Sequence, residues 1–350
     1  MDESRFQKVP EILEKAIVER LIPGAVIAVT NSKSTVYQQA LGVAHDVRKI
    51  RMTKNTIFDL ASLTKVVATL PAILQLLDQG LLDLDDPVYL YLRQFERSHP
   101  DLTIKHLLTH TSGFQPEIKF WQMNYTMDEA INLIARMDEK KQVGLEVIYS
   151  DLNFITLGKI VEKITNMSLA EYTSTFIYEP LGMKDTAFNP ASHKQNRIAA
   201  TEFIESQNDY QWGKVHDENA LHFGGVSGHA GLFSTAEDLT IYARMILNNG
   251  KLKGKRIISS PSIALSTTSQ TEKLNQNRGI GWQLYDSNSF SGQFMQDGFG
   301  HTGFTGTSMW FSKESNFATI LLTNRVHFGR NRTIHQLRKV LHNSIAIAMN

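Results

Sequence analysis

Apolar residues at Phe6, Val9, Leu13, Ala16 and Ile17 recur at helical spacing, and Pro23-Gly24 punctuates the end, so the pattern predicts a helix over 6–21. Two strand-like runs follow, Ala25 to Thr30 and Thr35 to Leu41, joined by the turn-prone Asn31-Ser32-Lys33. Near the other end, Ile280 to Tyr285, Thr307 to Phe311 and Ala318 to Thr323 read as strands, and Thr333 to Met349 reads as a closing helix. Both ends of the chain thus supply strands to one predicted antiparallel sheet. From Phe95 to about His229 the spacing is mostly helical, as in Met127 to Met137, Asn153 to Ile164 and Leu169 to Ile177. The predicted fold class is α+β. Residues 1–94 and 230–350 form a sheet domain with flanking helices, residues 95–229 form a mainly helical insertion, and the active site lies between them.

Composition removes several functions. Of 350 residues, 42% are hydrophobic, enough for a packed core. Lys and Arg total 36 against 35 Asp and Glu, a formal charge of +1, so no long-range field favours nucleic acid or an anionic membrane. Cysteine is absent, which rules out disulfides, a cysteine nucleophile and thiolate-bound zinc. Met1-Asp2-Glu3-Ser4-Arg5 lacks the basic start and apolar core of a signal peptide, and no run of residues reads as a membrane span. A cytoplasmic location is expected, or an exported one if a leader precedes this numbering.

The chemistry concentrates at Ser62-Leu63-Thr64-Lys65, the only Ser-x-x-Lys in the chain, where Ile57-Phe58-Asp59-Leu60-Ala61 gives way to a helix-like run from Val66 to Leu77. Residues i and i+3 share a helical face, so a Lys65 amine would sit beside the Ser62 hydroxyl, and a serine needs such a base to become a nucleophile. Burial is one route to a neutral lysine near pH 7. Pro71 lacks an N–H and crowds the preceding turn, so a kink after Thr69 is expected. Ser234 with Glu237 fits a capping box opening a helix over 235–247.

Two further motifs stand in order: Tyr149-Ser150-Asp151, the only Tyr-x-Asp, and His301-Thr302-Gly303, the only [Lys/His]-[Ser/Thr]-Gly. The set of three resembles the penicillin-recognising serine hydrolases, a superfamily of class C β-lactamases, penicillin-binding D,D-peptidases, D-aminopeptidases and esterases. Leu107-Leu108-Thr109-His110-Thr111-Ser112-Gly113 and Ala230-Gly231-Leu232-Phe233-Ser234-Thr235-Ala236-Glu237-Asp238-Leu239 extend the resemblance. It implies a β-lactamase/transpeptidase-like fold, an acyl-enzyme on Ser62, Lys65 as base and Tyr149 as proton shuttle. Asp151, His301, Thr302, Gly303 and Phe304 would contact the substrate, with the Phe304 and Ser62 N–H groups as the oxyanion hole.

Two residues depart from the superfamily's pattern. Asp151 stands where asparagine is usual; ionised, it can only accept, and a salt bridge to Lys65 would raise the lysine's pKa and weaken it as a base. His301 replaces the more usual lysine and is mostly neutral above pH ~6.5. Both features disfavour efficient β-lactam hydrolysis. The implied function is a serine hydrolase acting on an amide or ester, on a cell-wall-derived or D-amino-acid peptide, with a small-molecule or peptide substrate and no cofactor or metal. A carboxylesterase on short acyl esters and a non-catalytic penicillin-binding sensor are the alternatives.

Several patterns carry other readings. Gly298 to Gly303 spells G-x-G-x-x-G, but strand-like residues follow it where a dinucleotide site needs a helix. His106 and His110 lack the intervening glutamate of a zinc protease and read as structural, and His216, His222 and His229 flank a glycine-rich loop at Gly224, Gly225, Gly228 and Gly231.

Overall fold

The computed structural model describes residues 3–138 and 142–350. Its main sheet has seven strands: β1 (Gly24–Asn31), β2 (Thr35–His45), β3 (Ile50–Arg51), β4 (Gln283–Leu284), β5 (Phe299–Thr302), β6 (Ser308–Ser312) and β7 (Phe317–Thr323). Their order is β4-β5-β6-β7-β1-β2-β3, every pairing is antiparallel, and the two ends of the chain meet where β1 lies against β7 with Ala25 opposite Thr323.

The uninterrupted apolar run in β1 follows from burial on both faces. Val26 and Ala28 join the larger core with Ala318, Ile320 and Leu322 of β7, while Ala25, Ile27 and Val29 join a second core with Phe317 and Leu321. Helix α1 (Lys8–Val18) and the closing helix, His335–Met349, cover the second core and pack on each other. Against the opposite face of β1 and β7 lies the helix Ala236–Leu247. That helix is capped by Thr235, whose side chain accepts the Asp238 N–H at 3.2 Å, and not by Ser234 as expected. Ser234 instead ends a short strand, Leu232–Ser234, paired to Phe58, and its hydroxyl meets Thr186 at 2.7 Å.

The element after Ser62 is wider than a simple kinked helix. Lys65–Thr69 forms a π-turn in which the Leu70 N–H reaches the Lys65 carbonyl, and α2 (Leu70–Asp78) continues from there. Pro71 is the cause: it offers no N–H to the carbonyls one turn back. Two buried tyrosines supply the missing donors, Tyr242 to the Val66 carbonyl at 2.6 Å and Tyr178 to the Val67 carbonyl at 3.3 Å. Among the described residues one stretch, Ala61–Asp78, is long and apolar enough to cross a membrane, but most of it is buried in the larger core, as expected of a core helix. Helix α3 (Asp151–Thr165) packs against the π-turn and brings its first residue to Lys65.

Candidate active site

Ser62 sits on a strained turn. The strand Phe58–Asp59 ends in a 3₁₀ turn, Ala61–Leu63, whose first residue has φ +47°, a left-handed conformation unfavourable for alanine. The turn is held from three sides. The buried Asp59 carboxylate accepts the Ala61 N–H at 2.9 Å and the His216 N–H at 2.6 Å. Burial nevertheless pushes Asp59 above the usual carboxylate range. Thr305 donates to the Asp59 carbonyl at 2.8 Å and Thr307 to the Leu60 carbonyl at 2.9 Å, which ties the turn to the loop after β5. Gly303 is obligatory for that contact, because a Cβ there would fall 2.2 Å from the Leu60 carbonyl oxygen and 2.1 Å from Thr307 Oγ1. Gly303, expected to contact the substrate, makes its tightest approach to the Ser62 turn while also lining the cavity.

Lys65 lies one turn on and is wholly buried. Its Nζ donates to Asp151 Oδ1 at 2.7 Å, Ser62 Oγ at 3.1 Å and the His229 carbonyl at 3.2 Å. Three donors meet three acceptors, so the ammonium is saturated. Burial works against the charge, but the carboxylate of Asp151 and the neighbouring Tyr149 phenol outweigh it and hold Lys65 above its ordinary value. The neutral amine expected from burial alone is therefore not the resting form; the salt bridge to Asp151 decides the outcome. Asp151, expected to touch substrate, spends Oδ1 on Lys65 and does not line the cavity. It occupies the first turn of α3, where the helix dipole favours a carboxylate. Asp217 extends this network: it accepts from His229 Nε2 at 2.9 Å, caps the helix Glu218–His222, and is held well below the usual range, against the cost of burial, chiefly by His229.

Tyr149 stands between two cations. Lys65 Nζ is 5.0 Å and the Arg278 guanidinium carbon 5.4 Å from its ring centroid. The phenolic oxygen is buried and has no hydrogen-bond partner among the described residues. His110 packs on the ring at 4.6 Å, tilted by 42°, and accepts the Ser150 N–H on Nδ1 at 3.1 Å, so the shared Leu-Thr-His-Thr-Ser-Gly stretch positions the Tyr149-Ser150-Asp151 segment. His106 has a separate structural task, capping the helix Ile104–Leu108 with Thr103.

His301 is buried on β5, and Nδ1 donates to the Thr302 carbonyl at 2.8 Å. Burial first, then the positive charges of Arg278 and Lys65, hold it well below its ordinary value. It is neutral, with Nε2 unpartnered among the described residues, and cannot serve as the cationic docking point that a lysine would provide. Phe304 turns outward, 48% exposed, with Arg325 stacked on its ring at 4.8 Å.

Ser62, Tyr149, His301, Thr302, Gly303 and Phe304 line one cavity of about 470 Å³, and the motif expectations converge there. What the motifs did not signal is the set of arginines in the rest of the wall, Arg278, Arg325, Arg330, Arg332 and Arg338, with no Asp or Glu lining the cavity among the described residues. No local pattern marks these arginines; only the coming together of the loop before β4, the segment after β7 and the last helix makes them a group. Asp59 was missed for the same reason.

Comparison with known proteins gives the family and the fold. The family model described as Beta-lactamase matches residues 9–343. A protein of Escherichia coli O157:H7 named "Putative D-alanyl-D-alanine carboxypeptidase" is 32% identical over 344 residues, covering 87% of this chain and 79% of its own length, and a Salmonella typhi protein of the same name matches equally. Among solved structures, a penicillin-binding protein homologue from Caulobacter crescentus superposes with a TM-score of 0.79 at 20% identity, over 98% of this chain and 97% of that one. EstCE1, a hydrolase with promiscuous acyltransferase activity, superposes with a TM-score of 0.78 at 21% identity, over 98% and 99%.

Proposed function

The chain belongs to the beta-lactamase family of serine hydrolases, and on that premise we propose that it cleaves a peptide ending in a D-amino acid through an acyl-enzyme on Ser62. The observation that carries the reading is the saturated Lys65 ammonium, which donates to Ser62 Oγ. Because Lys65 already holds its protons, Ser62 must pass its own elsewhere as it attacks the carbonyl carbon. Tyr149 is the relay: its phenol accepts the Ser62 proton while giving its own to the amide nitrogen that is to leave, and the cations Lys65 and Arg278 stand 5.0 and 5.4 Å from its ring to stabilise negative charge that builds there in transit. The carbonyl oxygen becomes an oxyanion facing the backbone N–H groups of Ser62 and Phe304. The C–N bond then breaks, the protonated amine leaves, and water releases the acyl group by the same steps reversed. Lys65 orients Ser62 and stabilises charge.

The carboxylate of the leaving amino acid docks at Arg278, which replaces the neutral His301 as the cation of the site; His301 Nε2 accepts from a substrate N–H. The D-alanyl-D-alanine carboxypeptidase naming of the relatives supports this substrate class. Intact mass after incubation with an N-acyl-D-alanyl-D-alanine substrate and with penicillin tests the proposal. We expect an adduct on the wild type and none on Ser62→Ala, with slow nitrocefin turnover. An adduct on both proteins would place the nucleophile elsewhere. Turnover of p-nitrophenyl acetate with no cleavage of D-alanyl peptides would identify a carboxylesterase.

A further inference from the structure

The positive charge in the cavity exceeds what one substrate carboxylate requires. The chain as a whole carries only +1, yet five guanidinium groups line this cavity with no carboxylate lining it among the described residues. Of the five, Arg330 is tied to acids, meeting Glu202 at 2.8 Å and Glu218 at 2.6 Å. Arg325 is buried, and its nitrogens are held by the backbone carbonyls of Phe304, Arg330 and Arg332, which fix its direction without cancelling its charge. Arg338, also buried, gives one nitrogen to the Thr307 carbonyl at 2.9 Å and leaves Nε unpartnered among the described residues. Burial and the charge of Arg325 pull Arg338 down to about 9. Two like charges packed together below the surface are costly, and such arrangements concentrate at functional sites.

This corner is distinct from the first cation. Arg278 lies 5.4 Å from the Tyr149 ring, whereas Arg338 lies 5.8 Å from the Phe290 ring and donates to the Thr307 carbonyl at 2.9 Å. Arg278 comes from the loop preceding β4; Arg325 and Arg338 come from the segment after β7 and from the final helix.

We propose that the cavity holds two acidic groups at once, one at Arg278 and a second at the Arg325–Arg338 corner, so that the preferred substrate is a doubly anionic amide or peptide. The second group is an oxyacid, carboxylate or phosphate, since the free N–H groups of Arg338 can donate to either while the carbonyl-held Arg325 adds its charge. The proposal rests on the Ser62 site being the hydrolytic one, with Arg278 as its first anion partner.

Isothermal titration of Ser62→Ala protein, which separates binding from turnover, tests it with small probes: hexanoate, dicarboxylates from glutarate to pimelate, and the phosphonocarboxylates of matching length. At least one doubly charged probe should bind tenfold or more tightly than hexanoate, and the better of the carboxylate and phosphonate series names the second group. Adding Arg338→Gln or Arg278→Gln should each reduce the doubly charged probe to the affinity of hexanoate, while Arg338→Lys retains part of the preference. Thermal midpoints check folding. Should the buried variants not fold, salt serves on Ser62→Ala alone: raising NaCl should weaken the doubly charged probe more than hexanoate. Equal affinity of singly and doubly charged probes, a preference that survives both glutamine variants, or equal salt responses would overturn the second site. Failure of the hydrolase reading appears separately, as absence of a Ser62 adduct on the wild type.

Discussion

Replacing Asp151 by asparagine isolates the interaction that keeps Lys65 charged. The pair is 2.7 Å apart, with the lysine fully buried and the aspartate side chain 22% exposed. Removing one member of a buried pair costs about 3–5 kcal/mol; the partial exposure of Asp151 and the asparagine oxygen, which still accepts from Nζ, reduce this to about 2–3 kcal/mol at pH 7. The pH dependence is the sharper signature. In the wild type the folded-state pKa of Lys65 is raised, so the folded and unfolded chains hold the same proton below pH ~10 and Lys65 adds no slope to stability there. In the Asp151→Asn variant, burial acts unopposed by that charge and the folded-state pKa falls. Above it the unfolded chain binds one more proton than the folded one, and stability rises with pH by up to ~1.4 kcal/mol per unit. Urea denaturation of both proteins from pH 6.5 to 9.5 should therefore show a deficit that shrinks as pH rises. Parallel curves across that range would refute the claim that Asp151 sets the charge of Lys65.

Other expectations follow from the same site. Tyr149→Phe should lower kcat by about 10²–10⁴-fold yet leave the thermal midpoint equal or higher, because the deleted hydroxyl has no partner among the described residues; a destabilised variant would mean that it does. Gly303→Ala should destabilise by more than about 2 kcal/mol and abolish acylation, as its Cβ would meet the Leu60 carbonyl, and a variant acylating at the wild-type rate would contradict the tight contact. Burial holds His110, His301 and His342 below the ordinary histidine value, His342 down to about 3. The unfolded chain gains their protons first, so chemical denaturation should show stability falling as pH drops below ~6.5, by roughly 1.4 kcal/mol per pH unit for each; a flat profile from pH 6.5 to 5 would place them in contact with water.

The elements that bury apolar residues in a regular run or period were legible from the chain. The strands β1, β2, β6 and β7 and the closing helix lie within a few residues of their expected bounds, because short apolar runs rich in β-branched residues mark strands buried on both faces and helical spacing marks a half-buried helix. The Ser62–Lys65 pairing was legible for a similar reason, since it depends on local geometry alone. The π-turn was only half legible: Pro71 signalled a disturbance, but its form depends on Tyr178 and Tyr242, over a hundred residues away. The protonation of Lys65 turned on competition between burial and Asp151, a balance that distance decides and spacing cannot. The arginines were not legible at all, because each is an ordinary surface-type residue until the tertiary fold collects them.

The Ser62 turn and the loop after β5 are locked together through Gly303, Thr305 and Thr307. Bond-breaking geometry thus travels as one rigid unit, while the groups that face the far ends of a bound molecule hang from separate peripheral segments. Substitutions at positions of those segments other than Arg278, Arg325 and Arg338, which touch Tyr149 or the loop after β5, can retune substrate choice with the reacting groups held in place, which makes the rest of the 270s loop and of the stretch from 325 to 338 the natural targets for redirecting this scaffold toward new acids or amides.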